Sequence, residues 1–187
     1  KRRKVLDMAS GTGDLARLVQ TEVGNDGQVV MGDFNIDMLS RGRNLSIDNG
    51  MNLPSVSCNA QNLPFKSDHF DCVTIAFGLR NMVDKAEVIR EAHRVLCSGG
   101  RLIILEFSKV YSFLQPFYKT YLFKVVPKLG KLLVNDEDSY RYLAESIEMH
   151  PSQSEIVQLF TEVGFENNQY YNFTGGVVAV HLGYKVD

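Results

Sequence analysis

Apolar and polar positions follow two rhythms over the first 107 residues of this chain. The segments KVLDM (4–8), QVVMGDF (28–34), SVSC (55–58), FDCVTIAF (70–77) and RLIILEF (101–107) are apolar runs of strand length. Between them, apolar residues recur at three- and four-residue spacing: Leu15, Leu18, Val19 and Val23, then Met38, Leu39 and Leu45, then Val88, Ile89, Ala92, Val95 and Leu96. The last of these helices opens on Asp84 and Glu87, a D-x-x-E capping signal, and SGG (98–100) is expected to end it. RLIILEF lacks alternation, as a central strand covered on both faces does. Strand and helix in turn predict an α/β fold with a doubly wound, mostly parallel sheet.

Residues 108–150 break this rhythm and read as a helical insertion after the fifth strand. Beyond Pro151, SQSE (152–155) is a second capping signal, and Ile156, Leu159, Phe160 and Val163 form a helix face ahead of Gly164. NQYYNF and GGVVAVHLGYKV are β-rich and share a Gly-Gly turn, which predicts a C-terminal antiparallel hairpin. Without a repeat or low-complexity linker, residues 1–187 read as a single domain.

Composition narrows the function classes. A formal charge of −2 on 187 residues gives no global attraction to nucleic acid, so no nucleic-acid partner is expected. Cys58, Cys72 and Cys97 lack C-x-x-C spacing and read as reduced core thiols rather than a disulfide or zinc framework; no metal site is expected. No apolar run approaches the length of a membrane span. KRRK resembles the start of a signal peptide, but Asp7 interrupts the apolar run that follows. Because the chain opens on Lys1, it is expected to lack its true N-terminal segment.

The chemistry is concentrated in VLDMASGTGDLA (5–16). Gly11, Gly13 and Ala16 fit the dinucleotide pattern G-x-G-x-x-[GA], which alone discriminates poorly. A pyrophosphate requires free N–H groups at a helix N-terminus. Asp7, at the carboxyl end of the first strand, would repel one by roughly 4 kcal/mol at 4 Å in an effective dielectric of about 20. A cationic, phosphate-free nucleoside such as S-adenosylmethionine reverses that sign. Asp7 tied to loop N–H groups instead is the competing arrangement. Asp33 ends the second strand twenty residues past Gly13, where a carboxylate accepts from both ribose hydroxyls of either cofactor. Asn59, Ala60 and Gln61, after the third strand, are placed to meet an adenine edge. Asp14 reads as a first-turn acid complementing the helix dipole.

Several segments together resemble the ubiquinone/menaquinone-biosynthesis C-methyltransferases: VLDMASGTGDLA, NAQNLPF, FDCVTIAFGLRNMVDK, RVLCSGGRLIILEFSK and DSYRYLAESIEMHP. The glycine turn is common to class I methyltransferases, whereas FGLRN and the SYRYLAESI-x-MHP stretch are more specific. The resemblance implies a seven-stranded, Rossmann-like methyltransferase fold. It implies methyl transfer from S-adenosylmethionine to a ring carbon of a polyprenylated quinol. It also places cofactor contacts on Thr12, Asp33, Asn59, Ala60 and Ala76. Two positions depart from the family pattern: Ser10 stands where Gly is usual, and Ala76 where Ser is usual. The resemblance also implies an N-terminal helical segment that helps cover the cofactor, and this is the segment the chain is expected to lack ahead of Lys1. The resemblance further implies a cytoplasmic setting at the inner face of a membrane, or the mitochondrial matrix in a eukaryote. It leaves homo-oligomers and quinone-biosynthesis complexes open as partners.

C-methylation of a quinol needs a ring carbon made nucleophilic by loss of a hydroxyl proton, with in-line positioning. GLRN (78–81) follows the fourth strand at the sheet edge where such folds bind ligands. Arg80 is the first catalytic candidate, as a fixed cation that acidifies the substrate hydroxyl, a surface or loop-bracing role being its alternative. Asn81 is expected to orient a water or the second quinol oxygen. His150 is the candidate proton acceptor, against a role satisfying helix carbonyls. Residues 107–135 contain five lysines, seven aromatics and no acid, which suits an anionic membrane surface and a mouth for the prenyl tail. An ordinary cap helix with solvated lysines is the alternative. Rival functions are a methyltransferase for another acceptor, a dehydrogenase, and a scaffold that has lost activity.

Overall fold

The computed structural model describes residues 3–125 and 136–186. Seven strands form one sheet: β1 (Lys4–Met8), β2 (Gln28–Asp33), β3 (Ser55–Ser57), β4 (Phe70–Ala76), β5 (Leu96–Phe107), β6 (Glu166–Phe173) and β7 (Val178–Tyr184). Their order is β3-β2-β1-β4-β5-β7-β6, with β1 to β5 parallel and β7 antiparallel to both β5 and β6. The sequence-based expectation of a doubly wound parallel sheet closed by an antiparallel hairpin is met. The order reverses between β1 and β4, and that reversal opens a crevice at the carboxyl ends of the strands.

Period-two alternation divides each central strand between two cores. Leu6 and Met8 of β1 join Val73, Ile75, Leu102 and Ile104 beneath α3 (Lys85–Val95) and a C-terminal helix, Gln153–Val163. Val5 faces the other way with Val29, Met31 and Cys72, against α1 (Asp14–Val23) and α2 (Ile36–Asp48). Asp7 shares the parity of Val5 and so lies on the α1 side. Leu18, expected on the buried face of α1, is largely exposed.

The insertion is partly helical. A short α4 (Gln115–Thr120) runs into a π-helical turn, Tyr121–Val125, and α5 (Glu137–Met149) follows beyond the undescribed stretch. Leu122, Ala144 and Ile147 make a small core that seats this cap on Phe107. The helix at Gln153–Val163, α6, opens with a reciprocal capping box: Ser152 and Glu155 satisfy each other's backbone N–H groups.

One boundary differs from expectation. Helix α3 stops at Val95, and Leu96 together with SGG already belongs to β5. The cause is pairing from outside the helix: Leu96 pairs with Phe70 of β4, the Gly99 amide donates to Lys185, and the Lys185 amide donates to Gly100. Tertiary hydrogen bonds there override the helical spacing of Leu96.

Candidate active site

The glycine turn is built by close approach. Gly13 adopts φ 75° as the N-cap of α1, and a side chain there would collide with Met31 Sδ at 2.6 Å. Gly42, inside α2, lies so near the turn that a Cβ would come within 2.8 Å of the Thr12 carbonyl carbon. Glycine inside a helix normally costs about 1 kcal/mol, but here it lets α2 rest directly on the loop backbone. Ala9 and Phe77, just past the tips of β1 and β4, both hold left-handed backbone without being glycine. Strain of that kind concentrates at functional sites.

A cavity of about 670 Å³ opens between the tips of β1, β2, β3 and β4. Of the expected cofactor residues, Gly11, Asp33, Asn59 and Ala60 line it, joined by Gln61 and, from the GLRN turn, Gly78 and Asn81. Asp33 anchors the arrangement. Its Oδ2 accepts the Gly11 N–H at 2.7 Å and its Oδ1 accepts the Asn35 N–H at 2.8 Å, while the carboxylate still borders the cavity. Asn59 Oδ1 accepts the Gln61 N–H, which shapes the loop after β3. Cys58 adds a thiol to the wall, pushed up to about 11 by burial and then by the nearby Asp33 charge.

Five expected cofactor residues stand outside the lining. Ser10, Thr12 and Gly13 belong to the turn behind it: the Ser10 N–H donates to Gly32, the Gly13 N–H to Ser10, and Thr12 Oγ1 to Asp14. Ala76 pairs with Leu105 inside the sheet, and the wall at that strand end is formed by Phe77 and Gly78. Asp7 is the main correction. It is 1% exposed on the α1 face, where Thr74 donates to its Oδ1 at 2.7 Å. Burial pushes the carboxyl up to about 6, and the Thr74 hydroxyl and Ala16 amide pull only part way back. Asp7 faces α1 at the level of Met31, two residues short of Asp33, and is not among the residues that line the cavity.

The choice against pyrophosphate survives that correction on other grounds. A phosphate cradle needs free backbone donors. In this turn the amides of Ser10, Gly11 and Gly13 already have internal acceptors, one of them the Asp33 carboxylate. Asp14 also sits in the first turn of α1 as expected, bonded to Thr12 and Arg17. A ligand without phosphates makes no demand on these amides, whereas a pyrophosphate would.

The catalytic candidates separate in space. Asn81 lines the cavity, and its Oδ1 accepts from the Tyr142 hydroxyl of α5 at 3.2 Å. Arg80 turns inward: Nη1 bonds Glu106 Oε1 at 2.8 Å and the Phe77 carbonyl, and the guanidinium lies over the Phe107 ring. Its cationic charge is matched inside the protein by a fully buried carboxylate. This is the loop-bracing alternative, not a free cation facing substrate. His150 is 3% exposed and borders no part of the cavity. Burial, then the charges of Lys85, His181, Lys109 and Arg80, lower it to about 3, which leaves it a poor proton acceptor. Sequence reasoning missed Glu106, hidden as the one acid in an apolar strand, and Gly42, which reads only as a helix defect.

The sheet order and the cavity at its reversal define a class I methyltransferase fold. The same fold occurs in a SAM-dependent methyltransferase from Aquifex aeolicus, with a TM-score of 0.73 at 16% identity, covering 98% of this chain and 82% of that one. Sequence goes further. The profile of the ubiE/COQ5 methyltransferase family matches residues 1–185, and the chain belongs to that family. The ubiquinone/menaquinone biosynthesis C-methyltransferase UbiE of Laribacter hongkongensis is 51% identical over 183 residues, 98% of this chain and 75% of its own. The enzyme of the same name from Proteus mirabilis is 49% identical over 188 residues, 99% of this chain and 75% of its own.

Proposed function

We propose that this chain is an S-adenosylmethionine-dependent C-methyltransferase of ubiquinone/menaquinone biosynthesis, acting on a ring carbon of a polyprenylated quinol. The observation that carries the reading is identity of about one half, sustained over nearly the whole chain, to enzymes bearing that name. The cavity agrees with it. Asp33 would hold the ribose hydroxyls, the turn at Gly11 the amino-acid end, and Asn59 and Ala60 the adenine edge. When bound, the cofactor supplies an electrophilic methyl group. Asn81, braced by Tyr142, orients the quinol oxygen at the opposite wall, and in-line placement supplies much of the rate. Apolar residues stand at the rim: Phe34 is 79% exposed and Val83 94%, so the mouth offers apolar surface to a ligand.

The same reading extends to how a lipid substrate arrives. Phe113, Phe117, Tyr121 and Phe123 are exposed on the cap, which supports peripheral membrane contact through residues 107–135. Two of the five lysines there are engaged: Lys109 donates to the Ile147 and Glu148 carbonyls, and Lys119 pairs with Glu148 at 2.6 Å. Lys128 and Lys131 lie outside the described residues, as does the Lys124 side chain. Among the described residues, no helix is long and apolar enough to cross a membrane. Flotation with anionic liposomes tests the contact: Phe113→Asp with Phe117→Asp should abolish it, and unchanged flotation would reject it.

Transfer of labelled methyl from S-adenosylmethionine to prenylated benzoquinol and naphthoquinol tests the activity. Turnover of either quinol, none of an amine, and at least tenfold loss of kcat in Asn81→Ala with cofactor affinity kept are the expected results. Methylation of an amine in preference to both quinols would refute the reading.

A further inference from the structure

The carboxylate of Glu106 has an unusual set of partners. It sits near the carboxyl end of β5, 0% exposed, and every group it binds belongs to the turn after β4 or to its own neighbour. Oε2 accepts the backbone N–H of Arg80 at 3.1 Å, and Oε1 accepts Arg80 Nη1 at 2.8 Å and the Phe107 N–H at 2.9 Å. Arg80 Nη1 also donates to the carbonyl of Phe77, the residue held in left-handed backbone. One carboxylate therefore grips Arg80 at its main chain and its side chain together, and through the guanidinium it fixes the start of the turn. The residues at either end, Phe77 and Asn81, both face the cavity. A charge this deeply buried persists only where its partners are complete.

We propose that Glu106 is a positioning residue for methyl transfer: by clamping Arg80 it sets the 77–81 turn so that Phe77 and Asn81 present one fixed wall to the quinol. This rests on the reading of the cavity given above, and it assigns Arg80 a mechanical task in place of an electrostatic one. The clamp lies on the β4–β5 side of the crevice and Asp33 on the β2 side, with β1 between them. Sites of this kind lose rate when supporting contacts allow displacements of about an ångström.

Glu106→Gln keeps the shape and removes the charge. The expected result is a folded protein with kcat lowered at least tenfold and its Kd for S-adenosylhomocysteine within threefold of the parent. Amide hydrogen exchange at 78–82 should be at least tenfold faster. Glu106→Asp, which keeps the charge, should recover part of kcat. The double variant with Arg80→Met should be no worse than Arg80→Met alone, because one residue acts through the other. A folded Glu106→Gln protein with kcat within twofold of the parent, unchanged exchange at 78–82, or losses that multiply in the double variant would overturn the proposal. If Glu106→Gln does not fold, Glu106→Asp decides, with full kcat and parental exchange counting against it. A parent that binds S-adenosylhomocysteine yet methylates no quinol refutes the functional reading instead, and exchange at 78–82 then judges the clamp alone.

Discussion

Three acids stand at or near the carboxyl-end tips of strands in the same sheet, and the fold treats each differently. Asp33 on β2 accepts two backbone amides and still borders the cavity. Asp7 on β1 is buried under α1 with one hydroxyl partner. Glu106 on β5 is buried completely but matched by Arg80. The contrast between the β1–β3 half of the crevice and the β4–β5 half follows. In the first half a carboxylate organises the loop and remains available to a ligand. In the second the ionic groups bind one another, and the wall they support is made of Phe77 and Asn81. Closeness to the site does not determine an acid's role; its level along the strand and its partners do, for Asp7 pairs with Met31, two residues short of Asp33.

Variants of each acid and its neighbours can break that comparison. The largest effect is expected at Asp33. Asp33→Ala removes a charged acceptor that two ribose hydroxyls would share, at about 1.5–3 kcal/mol per bond, so the affinity for S-adenosylhomocysteine measured by calorimetry should fall at least a hundredfold.

Next comes the interior behind the β4–β5 half. His150 is neutral in the folded state, lowered to about 3 from 6.5, and His181 is lowered to about 4, first by burial. Below pH 6.5 the unfolded chain binds protons that the folded chain refuses, so the stability present above 6.5 is lost as pH falls toward 3. For His150 the loss is about 3 kcal/mol by pH 4, and His150→Gln should flatten the fall in melting temperature between pH 7 and pH 4.

Asp7 carries the opposite sign. Its folded value of about 6 lies above 3.8, so unfolding releases a proton between those values and stability drops as pH rises through the window. Asp7→Asn should therefore gain about 3 kcal/mol at pH 7 and nothing below pH 4, as denaturant titrations at the two pH values would show. The smallest effect is at Gly42. Propensity alone predicts that Gly42→Ala stabilises α2 by about 1 kcal/mol. The contact with Thr12 predicts instead a loss of about 1–2 kcal/mol, readable in the same titrations.

Much of this was legible in the residues. The alternation of apolar runs and helical faces foretold β1 to β4, α3 and the hairpin, and Ser152 with Glu155 marked the start of α6 within a residue. Asp33, Asn59, Ala60 and Asn81 were picked out because each follows a strand at the edge that binds ligands. Asp7 went astray although the signal was present: residues 5 and 7 share a face opposite to 6 and 8, and that face lies under α1. Glu106 gave no such signal, since its meaning depends on Arg80, twenty-six residues earlier on a different strand's turn. The start of β5 at Leu96 was equally hidden, because its partners are remote: Leu96 pairs with Phe70, and Gly99 and Gly100 bond Lys185 at the far end of the chain.

A crystal structure with S-adenosylhomocysteine tests the central claim most directly. The account predicts the ribose hydroxyls on the Asp33 carboxylate, the adenine beside Ala60, and the thioether sulfur turned toward Asn81, with Asp7 untouched beneath α1. A nucleoside bound outside this cavity, or a phosphate seated on the amides of residues 10–13, would contradict it.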